Sequence, residues 1–256
     1  MAERTGANMG KKIDTRLFLD ENLPGGGIIT LDREHSHYLS NVMRVSAGAP
    51  VAVFNGRDGE WSTEVAEVKK REVVLRIKEK IKEQTPEPNL MLAFAPIKKA
   101  RIDFIAQKAT ELGVAHLQPI YTRRTNVDRV KTERLHLNAV EAAEQCERLT
   151  VPVVSEPAKL MQLIADWPTE RMIMFCDEDL SGRSAHEALA SLPEADKAKP
   201  WAIFIGPEGG FDDTERDAIK KLPQTVIVAL GPRVLRADTA AMAAISLWQS
   251  AIGDWG

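Results

Sequence analysis

Two short loops near the C-terminus hold the residues best suited to gripping a ligand. The first is Gly206-Pro207-Glu208-Gly209-Gly210, and the second runs from Gly231 to Ala237 with Arg233 and Arg236 inside it. Each follows an apolar run, residues 201–205 and 226–230, that ends in a Gly-Pro pair, and each precedes a helix start. Glycine lets a ligand approach the main chain and permits backbone angles closed to other residues. In open α/β sheets, ligands bind beyond the carboxyl ends of the strands, where such loops lie. Taken singly, each loop is equally a tight turn with a good helix cap. As a pair, with two arginines in the second, they are hard to explain as architecture and mark a candidate ligand site.

The elements that hold these loops follow from local signals. Asp212, followed three residues later by Glu215, is a capping-box pattern and starts a helix. Asp238 or Thr239 can cap the next one. Upstream, residues 90–95 form an apolar strand. Residues 100–112 are helical, with Ile102, Ile105, Ala106, Ala109 and Leu112 on one face and Gly113 as the stop. A strand over 114–120, a long helix over 132–149, a strand over 172–176 and a helix near 184–192 complete the series. Strands alternating with helices imply a parallel sheet covered on both faces.

Before residue 85 the pattern is all-β. Strands are expected at 16–19, 28–31, 51–54, 61–68 and 73–77, with hairpin chemistry in Asn55-Gly56-Arg57-Asp58-Gly59. Trp61, Thr63 and Val65 alternate with Ser62 and Glu64. One short helix, residues 34–44, interrupts the meander and sets Tyr38, Leu39, Val42 and Met43 on one face. A small barrel with one helix results. Thr85-Pro86-Glu87-Pro88-Asn89 is the boundary, since two prolines in five polar residues continue neither strand nor helix. The expected organisation is residues 1–15 as a disordered extension, 16–84 as the β domain and 89–256 as the α/β domain.

Composition narrows the class. The chain has 256 residues, 44% hydrophobic and 28% charged, as in a soluble globular protein. No apolar run approaches the ~20 residues that span a bilayer, and residues 1–12 lack the apolar segment of a secretory signal. Two cysteines, Cys146 and Cys176, argue against a disulfide framework or zinc cluster and fit a reducing cytoplasm; both are expected as buried thiols. His35 and His37 have no further ligands at metal spacing. They are exposed helix-start residues or contacts to RNA phosphate. A net charge of −3 argues against a generic nucleic-acid binder. Residues 96–148 nevertheless hold ten Lys/Arg against seven Asp/Glu, which is a local phosphate-binding face or solvated helix surface. Lys98 and Lys99 follow one strand and Arg123 and Arg124 the next, so both pairs stand on the presumed ligand edge. Arg148 ends the long helix, where it satisfies the helix dipole or contacts phosphate.

Common nucleotide and nucleophile signatures are missing. The sequence contains no GxxxxGK[ST], no GxGxxG after the first strand of the α/β region, no GxSxG, and no evident Ser or Cys paired with a nearby His. A kinase or hydrolase therefore has no motif support.

A set of ordered motifs is more specific. GPEGGF at 206–211, LGPRVLRADTA at 230–240, APIKKARIDFIAQKATELGV at 95–114, EAAEQCERLTVPVV at 141–154, RLFLDE from Arg16 and HSHYLSNVMRV from His35 together resemble the RsmE-type ribosomal RNA small-subunit methyltransferase E family. The match runs from Arg16 to the last helix. The resemblance implies a PUA-like β-barrel that helps hold RNA, followed by a SPOUT α/β domain with a trefoil knot. It implies S-adenosyl-L-methionine as cofactor and no metal. It further implies methylation of N3 of uridine 1498 in 16S rRNA of the small ribosomal subunit, by a homodimer, in the cytoplasm and away from membranes.

By the same resemblance the cofactor lies between Ile205, Gly206 and Gly210 on one side and Leu230, Gly231, Val234, Leu235, Arg236, Thr239 and Ala240 on the other. Arg236 is the candidate to stabilise charge developing on the base or to clamp phosphate, and Glu208 is the weaker candidate for a base, with bracing of the loop as its other role. RNA contacts are expected from Arg16, His37, Arg44, Lys98, Lys99, Arg123, Arg124 and Arg148. The sequence departs from the usual family form at Ala237-Asp238, where Asp keeps the charge but shortens its reach, and at Pro232. The Ala-rich last helix would let another helix approach, across a dimer interface or against the knot. The other readings are a methyltransferase of the same fold acting on another RNA such as tRNA, a non-enzymatic RNA-binding assembly factor and, last, a small-molecule enzyme.

Overall fold

The computed structural model describes residue 13 and residues 15–23, 25–179 and 182–255, with only the backbone of Lys99. The chain divides between Thr85 and Pro86 into two compact units. Most of the extension expected over residues 1–15 lies outside the described residues. Thr15 departs from that expectation. It is buried, and its carbonyl accepts a hydrogen bond from Ala52 N–H at 2.9 Å, so pairing begins one residue early.

The first unit is a five-stranded sheet in the order β1-β3-β4-β5-β2. Its strands are β1 (Arg16–Phe18), β2 (Gly27–Thr30), β3 (Pro50–Phe54), β4 (Glu60–Val68) and β5 (Val73–Lys82). β1 runs parallel to β3, and the other pairs are antiparallel. The β3–β4 hairpin closes as its turn chemistry requires: Asn55 Oδ1 accepts from the N–H groups of Arg57 and Asp58. Thr63 and Val65 point inward with Leu17, Val51, Val53, Val73 and Leu75.

The helix expected over 34–44 begins as an α-helix and then widens. α1 (Arg33–His37) is capped by Asp32, and a π-helical turn follows over Tyr38–Val42, with Met43 N–H donating to Tyr38 O. Leu39 is fully buried, but Val42 and Met43 are 60% and 40% exposed, contrary to the predicted apolar face. The wide turn carries the positions after Leu39 off the line that faces the core.

The second unit is a parallel sheet in the order β11-β13-β10-β12-β6-β7-β8, with β9 also on β7. Its strands are β6 (Leu90–Phe94), β7 (His116–Tyr121), β8 (Val153–Val154), β9 (Ala158–Lys159), β10 (Met172–Cys176), β11 (Arg183–Ser184), β12 (Trp201–Ile205) and β13 (Thr225–Ala229). Its helices are α2 (Lys99–Glu111), α3 (Thr132–Gln145), α4 (Leu160–Ala165), α5 (Ala185–Ala190), α6 (Glu194–Lys197), α7 (Asp213–Lys220) and α8 (Ala237–Ile252). The apolar runs of the central strands are explained by two covered faces. Leu90, Leu92 and Phe94 of β6 join one core with residues of α2, α5 and α8, while Met91 and Ala93 join another with α4 and α7. Ala241 and Ala244 of the Ala-rich α8 are fully buried in the first of these cores. Among the described residues no helix is long and apolar enough to cross a membrane.

α3 stops at Gln145, four residues short of expectation. Glu147 turns into the left-handed region at φ 62° and sends Arg148 inward. Cys146, at the end of this helix, is exposed rather than buried.

Candidate active site

Strands β13, β10 and β12 lie side by side in parallel, so their carboxyl ends share one edge. A cavity of about 390 Å³ opens there. The first loop lines it from Ile205 through Gly210, and Val234, Leu235, Ala237 and Ala240 line it from the second loop and the head of α8. Cys176, Glu178, Arg124 and Arg216 complete the lining. A recess of about 60 Å³ shares Cys176, Glu178, Val234, Leu235 and Ala240, and adds Asp177, Leu230 and Arg233.

Glycine is required at two points. A Cβ on Gly206 would come within 2.9 Å of the buried Phe211 ring. Gly210 has φ +68°, and a Cβ there would fall 2.1 Å from Glu178 Oε1. The same Glu178 oxygen accepts from Phe211 N–H at 3.1 Å and meets Arg216 at 2.5 Å. Glu178 therefore fixes the far end of the loop from beneath.

A buried charge network supports this corner. Asp177 is enclosed and meets Arg216 Nε at 3.0 Å and Lys220 Nζ at 2.5 Å. Contact with Asp177, and then with Asp179, holds the Lys220 pKa above its ordinary value, against desolvation. Burial opposes the charge on Arg216, but its hydrogen bond to Glu178 and the charges of Asp177, Glu178 and Asp179 outweigh it and raise that pKa too. Burial pushes the Cys176 thiol far up, so it lines the cavity as a neutral group and not as a nucleophile.

The predicted capping box at α7 is present. Asp212 accepts from Thr214 N–H at 3.0 Å, and Glu215 accepts from Asp212 N–H at 3.1 Å. These bonds, led by that to Thr214 and aided by the charges of Arg123 and Arg124, hold the Asp212 carboxyl below its usual range. Glu215 also accepts from Arg123 N–H at 2.9 Å, and Arg124 donates to Gly209 O at 2.9 Å. The loop after β7 is thereby tied to the first glycine loop. At α8 the cap differs from expectation. Arg236 occupies the cap position without a side-chain bond, and Asp238 and Thr239 lie inside the first turn. The Asp238 carboxylate accepts from its neighbour's N–H and stands 3.7 Å from Arg101, which leaves it unavailable as a cap.

Of the expected cofactor residues, Ile205, Gly206, Gly210, Val234, Leu235 and Ala240 line the larger cavity and Leu230 the recess. Gly231, Arg236 and Thr239 are exposed and line neither, although Arg236 sits between two lining residues. Glu208 lines the cavity, 3.6 Å from Arg101. Among the expected RNA contacts, His37, Arg44, Lys98, Arg123 and Arg124 are exposed. Two are not available to RNA. Arg16 is paired with buried Glu60 and lies over the Phe54 ring. Arg148 is 9% exposed; its guanidinium bonds Glu87, Thr150 Oγ1 and the carbonyls of Thr110 and Val114. Both are internal struts, because each guanidinium is spent on a carboxylate and neighbouring groups inside the fold.

A Ser–His contact also exists where none was expected. His116 Nε2 lies 2.6 Å from Ser155 Oγ. It stands at the amino end of β7, opposite the glycine loops, and burial together with the Arg171 charge lowers the His116 pKa. Sequence reasoning missed Glu178, Cys176, Arg216 and Arg101. The first two were findable: Cys176-Asp177-Glu178 directly follows a strand, on the edge where the glycine loops were already placed.

Residues 84–249, which include this cavity, match a family model described as an RNA methyltransferase domain, and residues 31–78 match one described as an RNA methyltransferase PUA domain. Fold and site together thus define an RNA methyltransferase of the PUA-plus-SPOUT architecture. Ribosomal RNA small subunit methyltransferase E of Rickettsia conorii is 30% identical over 233 residues, 90% of this chain and 93% of that protein. Its counterpart from Bacillus subtilis is 31% identical over 224 residues, 83% of this chain and 86% of that protein. The crystal structure of the Neisseria gonorrhoeae enzyme, bound to S-adenosyl methionine, aligns with a TM-score of 0.84 at 26% identity, covering 94% of this chain and 99% of that one. The chain belongs to the ribosomal RNA small subunit methyltransferase E family.

Proposed function

We propose that this protein transfers the methyl group of S-adenosylmethionine to N3 of uridine 1498 in 16S rRNA of the small ribosomal subunit, acting as a cytoplasmic homodimer. The observation that carries this reading is the cavity at the carboxyl edge, lined by both Gly-Pro loops at once. Its size suits one small organic cofactor. Val234, Leu235, Ala237 and Ala240 supply apolar surface for an adenine, and the glycine loop brings backbone groups alongside. Glu208, only loosely approached by Arg101 at 3.6 Å, gives the cavity a carboxylate that complements a cationic ligand. When bound, the cofactor supplies a methyl on a positively charged sulfur, open to in-line displacement.

The residues then have separable tasks. The loop and α8 set the approach of the target atom, and positioning is a large share of such a barrier. Uracil N3 carries a proton at neutral pH and becomes nucleophilic as that proton leaves. Glu208, at the cavity wall, is our candidate to accept it, and Arg101, 3.6 Å away, holds its side chain in position. Arg236, exposed at the head of α8, faces charge appearing on the base oxygens or the neighbouring phosphate.

The test is methyl transfer from labelled S-adenosylmethionine to small subunits that lack the modification, with the product nucleoside identified by mass spectrometry. One 3-methyluridine per subunit is expected. Transfer to tRNA alone, or cofactor binding without transfer to any RNA, would overturn the assignment.

A further inference from the structure

A second cavity, about 500 Å³, lies at the carboxyl end of β7, on the same sheet edge as the cofactor cavity. Tyr121, Arg129, Lys131, Thr132, Glu133 and Glu156 are among its lining residues. Its position is not independent of the first. Strand order places β7 one strand beyond β6, which itself pairs with β12. The loop that leaves β7 is bound to the cofactor site through Arg124 to Gly209 O and Arg123 N–H to Glu215. One fastened loop therefore runs between the two cavities.

The lining has the chemistry of a nucleotide subsite. Arg129 and Lys131 are both exposed, and neither has an ion-pair partner among the described residues. Most cations of this unit near a carboxylate are already paired, as at Arg134–Asp103, Arg148–Glu87 and Lys220–Asp177. The lining also holds the carboxylates Glu133 and Glu156, but the two exposed cations without ion-pair partners are where an anion can bind, and phosphate is the anion a nucleic acid brings. Tyr121 adds a half-buried aromatic ring of the kind on which bases stack. Glu156 is held in place by Thr132 Oγ1 at 2.7 Å through one oxygen, which leaves the other able to accept from a ribose hydroxyl.

Building on the RNA-methyltransferase reading, we propose that this cavity is a second RNA site, holding one nucleotide of the substrate a short distance from the target base. Its phosphate lies against Arg129 and Lys131 and its base against Tyr121. The site would let the enzyme recognise its RNA by a nucleotide that is not itself methylated.

The experiment compares full-length wild type with an Arg129→Gln/Lys131→Gln variant. Binding to a 16S rRNA transcript is measured by filter retention across a salt series, and S-adenosylmethionine affinity by calorimetry. The variant is expected to bind RNA about tenfold less tightly, with a salt slope lower by about 1 to 2, and to keep its cofactor affinity. Tyr121→Leu is expected to weaken RNA binding without changing the slope. RNA binding within twofold of wild type at an unchanged slope would overturn the site. Wild-type protein that binds RNA through these residues but transfers no methyl would sink the catalytic reading and leave the site standing. Should the double variant lose cofactor binding through misfolding, photo-cross-linking of wild type to a 4-thiouridine transcript decides. Adducts on the peptide holding Tyr121 or residues 129–133 support the site, and adducts confined elsewhere overturn it.

Discussion

The guanidinium of Arg101 lies 3.6 Å from the carboxylate of Glu208. The same group stands 3.7 Å from Asp238, so one cation of α2 links the first glycine loop to the head of α8. Both distances are long for ion pairs and Arg101 is about a third exposed, so the link adds under ~1 kcal/mol to folding. Its value is in holding two walls of the cavity together. Arg101→Ala is therefore expected to weaken S-adenosylmethionine binding several-fold in calorimetry, while the urea midpoint barely moves. Unchanged cofactor affinity would show that the walls are set by other contacts.

Gly210 is the second point of leverage. Its φ of +68° is unfavourable for any L side chain, and the added methyl meets Glu178, a side chain already committed to Arg216 and Phe211 N–H. Relief must come from the loop itself. Gly210→Ala is expected to lower cofactor affinity by at least about tenfold and to destabilise the fold by ~1–3 kcal/mol. Normal binding by the alanine variant would mean that the loop tolerates a different backbone.

Arg148 separates a structural role from an RNA role. Its fork of donors meets Glu87, Thr150 and two main-chain carbonyls, and removing it leaves the Glu87 carboxylate with Thr150 Oγ1 but without its cationic partner. Arg148→Ala should cost ~3 kcal/mol or more in chemical denaturation. Arg148→Lys should recover less than half of that, because one ammonium cannot span the same set of acceptors. A variant of wild-type stability with weakened RNA binding would restore the phosphate-contact role.

What could be read from the sequence followed the strength of local signals. Strand β12 was bounded correctly because its five apolar residues run into Gly-Pro, and the α7 cap was correct because its two partners lie three residues apart. β8, β9 and α4 were missed because two-residue strands and a six-residue helix leave too few positions to show a period. The end of α3 was misplaced for a tertiary reason. Arg148 is pulled inward by Glu87 and by carbonyls of Thr110 and Val114, none of which its own neighbourhood announces. The cavity at the carboxyl edge was half legible: the glycine loops declare themselves, whereas Glu178 joins its lining only when β10 is set beside β12.

The Asp177 network predicts an alkaline limit. Lys220 has its pKa raised above the ordinary 10.5 by Asp177, and then by Asp179, and so binds its proton more tightly folded than unfolded. Its stabilisation is complete below pH 10.5 and is lost as pH rises through the folded pKa above that value. Asp212 behaves in the opposite sense. Its folded pKa lies below 3.8, so its contribution holds above that pH and falls away as acid protonates the cap. Lys220→Met should flatten the alkaline side of a stability-against-pH curve, and Asp212→Asn the acid side. A Lys220→Met curve that still falls at the same alkaline pH would assign that transition to another group.

Arg236 carries the most specific catalytic claim. It is exposed at the head of α8 and lines neither the cavity nor its recess, but its chain neighbours Leu235 and Ala237 both line the cavity. A side chain so placed can act on bound RNA without contributing to cofactor binding. Arg236→Ala should therefore retain wild-type S-adenosylmethionine affinity and stability. Its single-turnover methylation of small subunits should fall by about 10²-fold or more, as for removal of one group that stabilises developing charge. Arg236→Lys separates its two candidate tasks. A phosphate clamp needs only a cation, so lysine would restore most of the rate and the salt dependence. Stabilising charge on a planar base needs fixed paired donors, and lysine would then leave the rate low. A rate within a few-fold of wild type for Arg236→Ala would remove Arg236 from the catalytic step and leave Glu208, beside Arg101, as the remaining candidate.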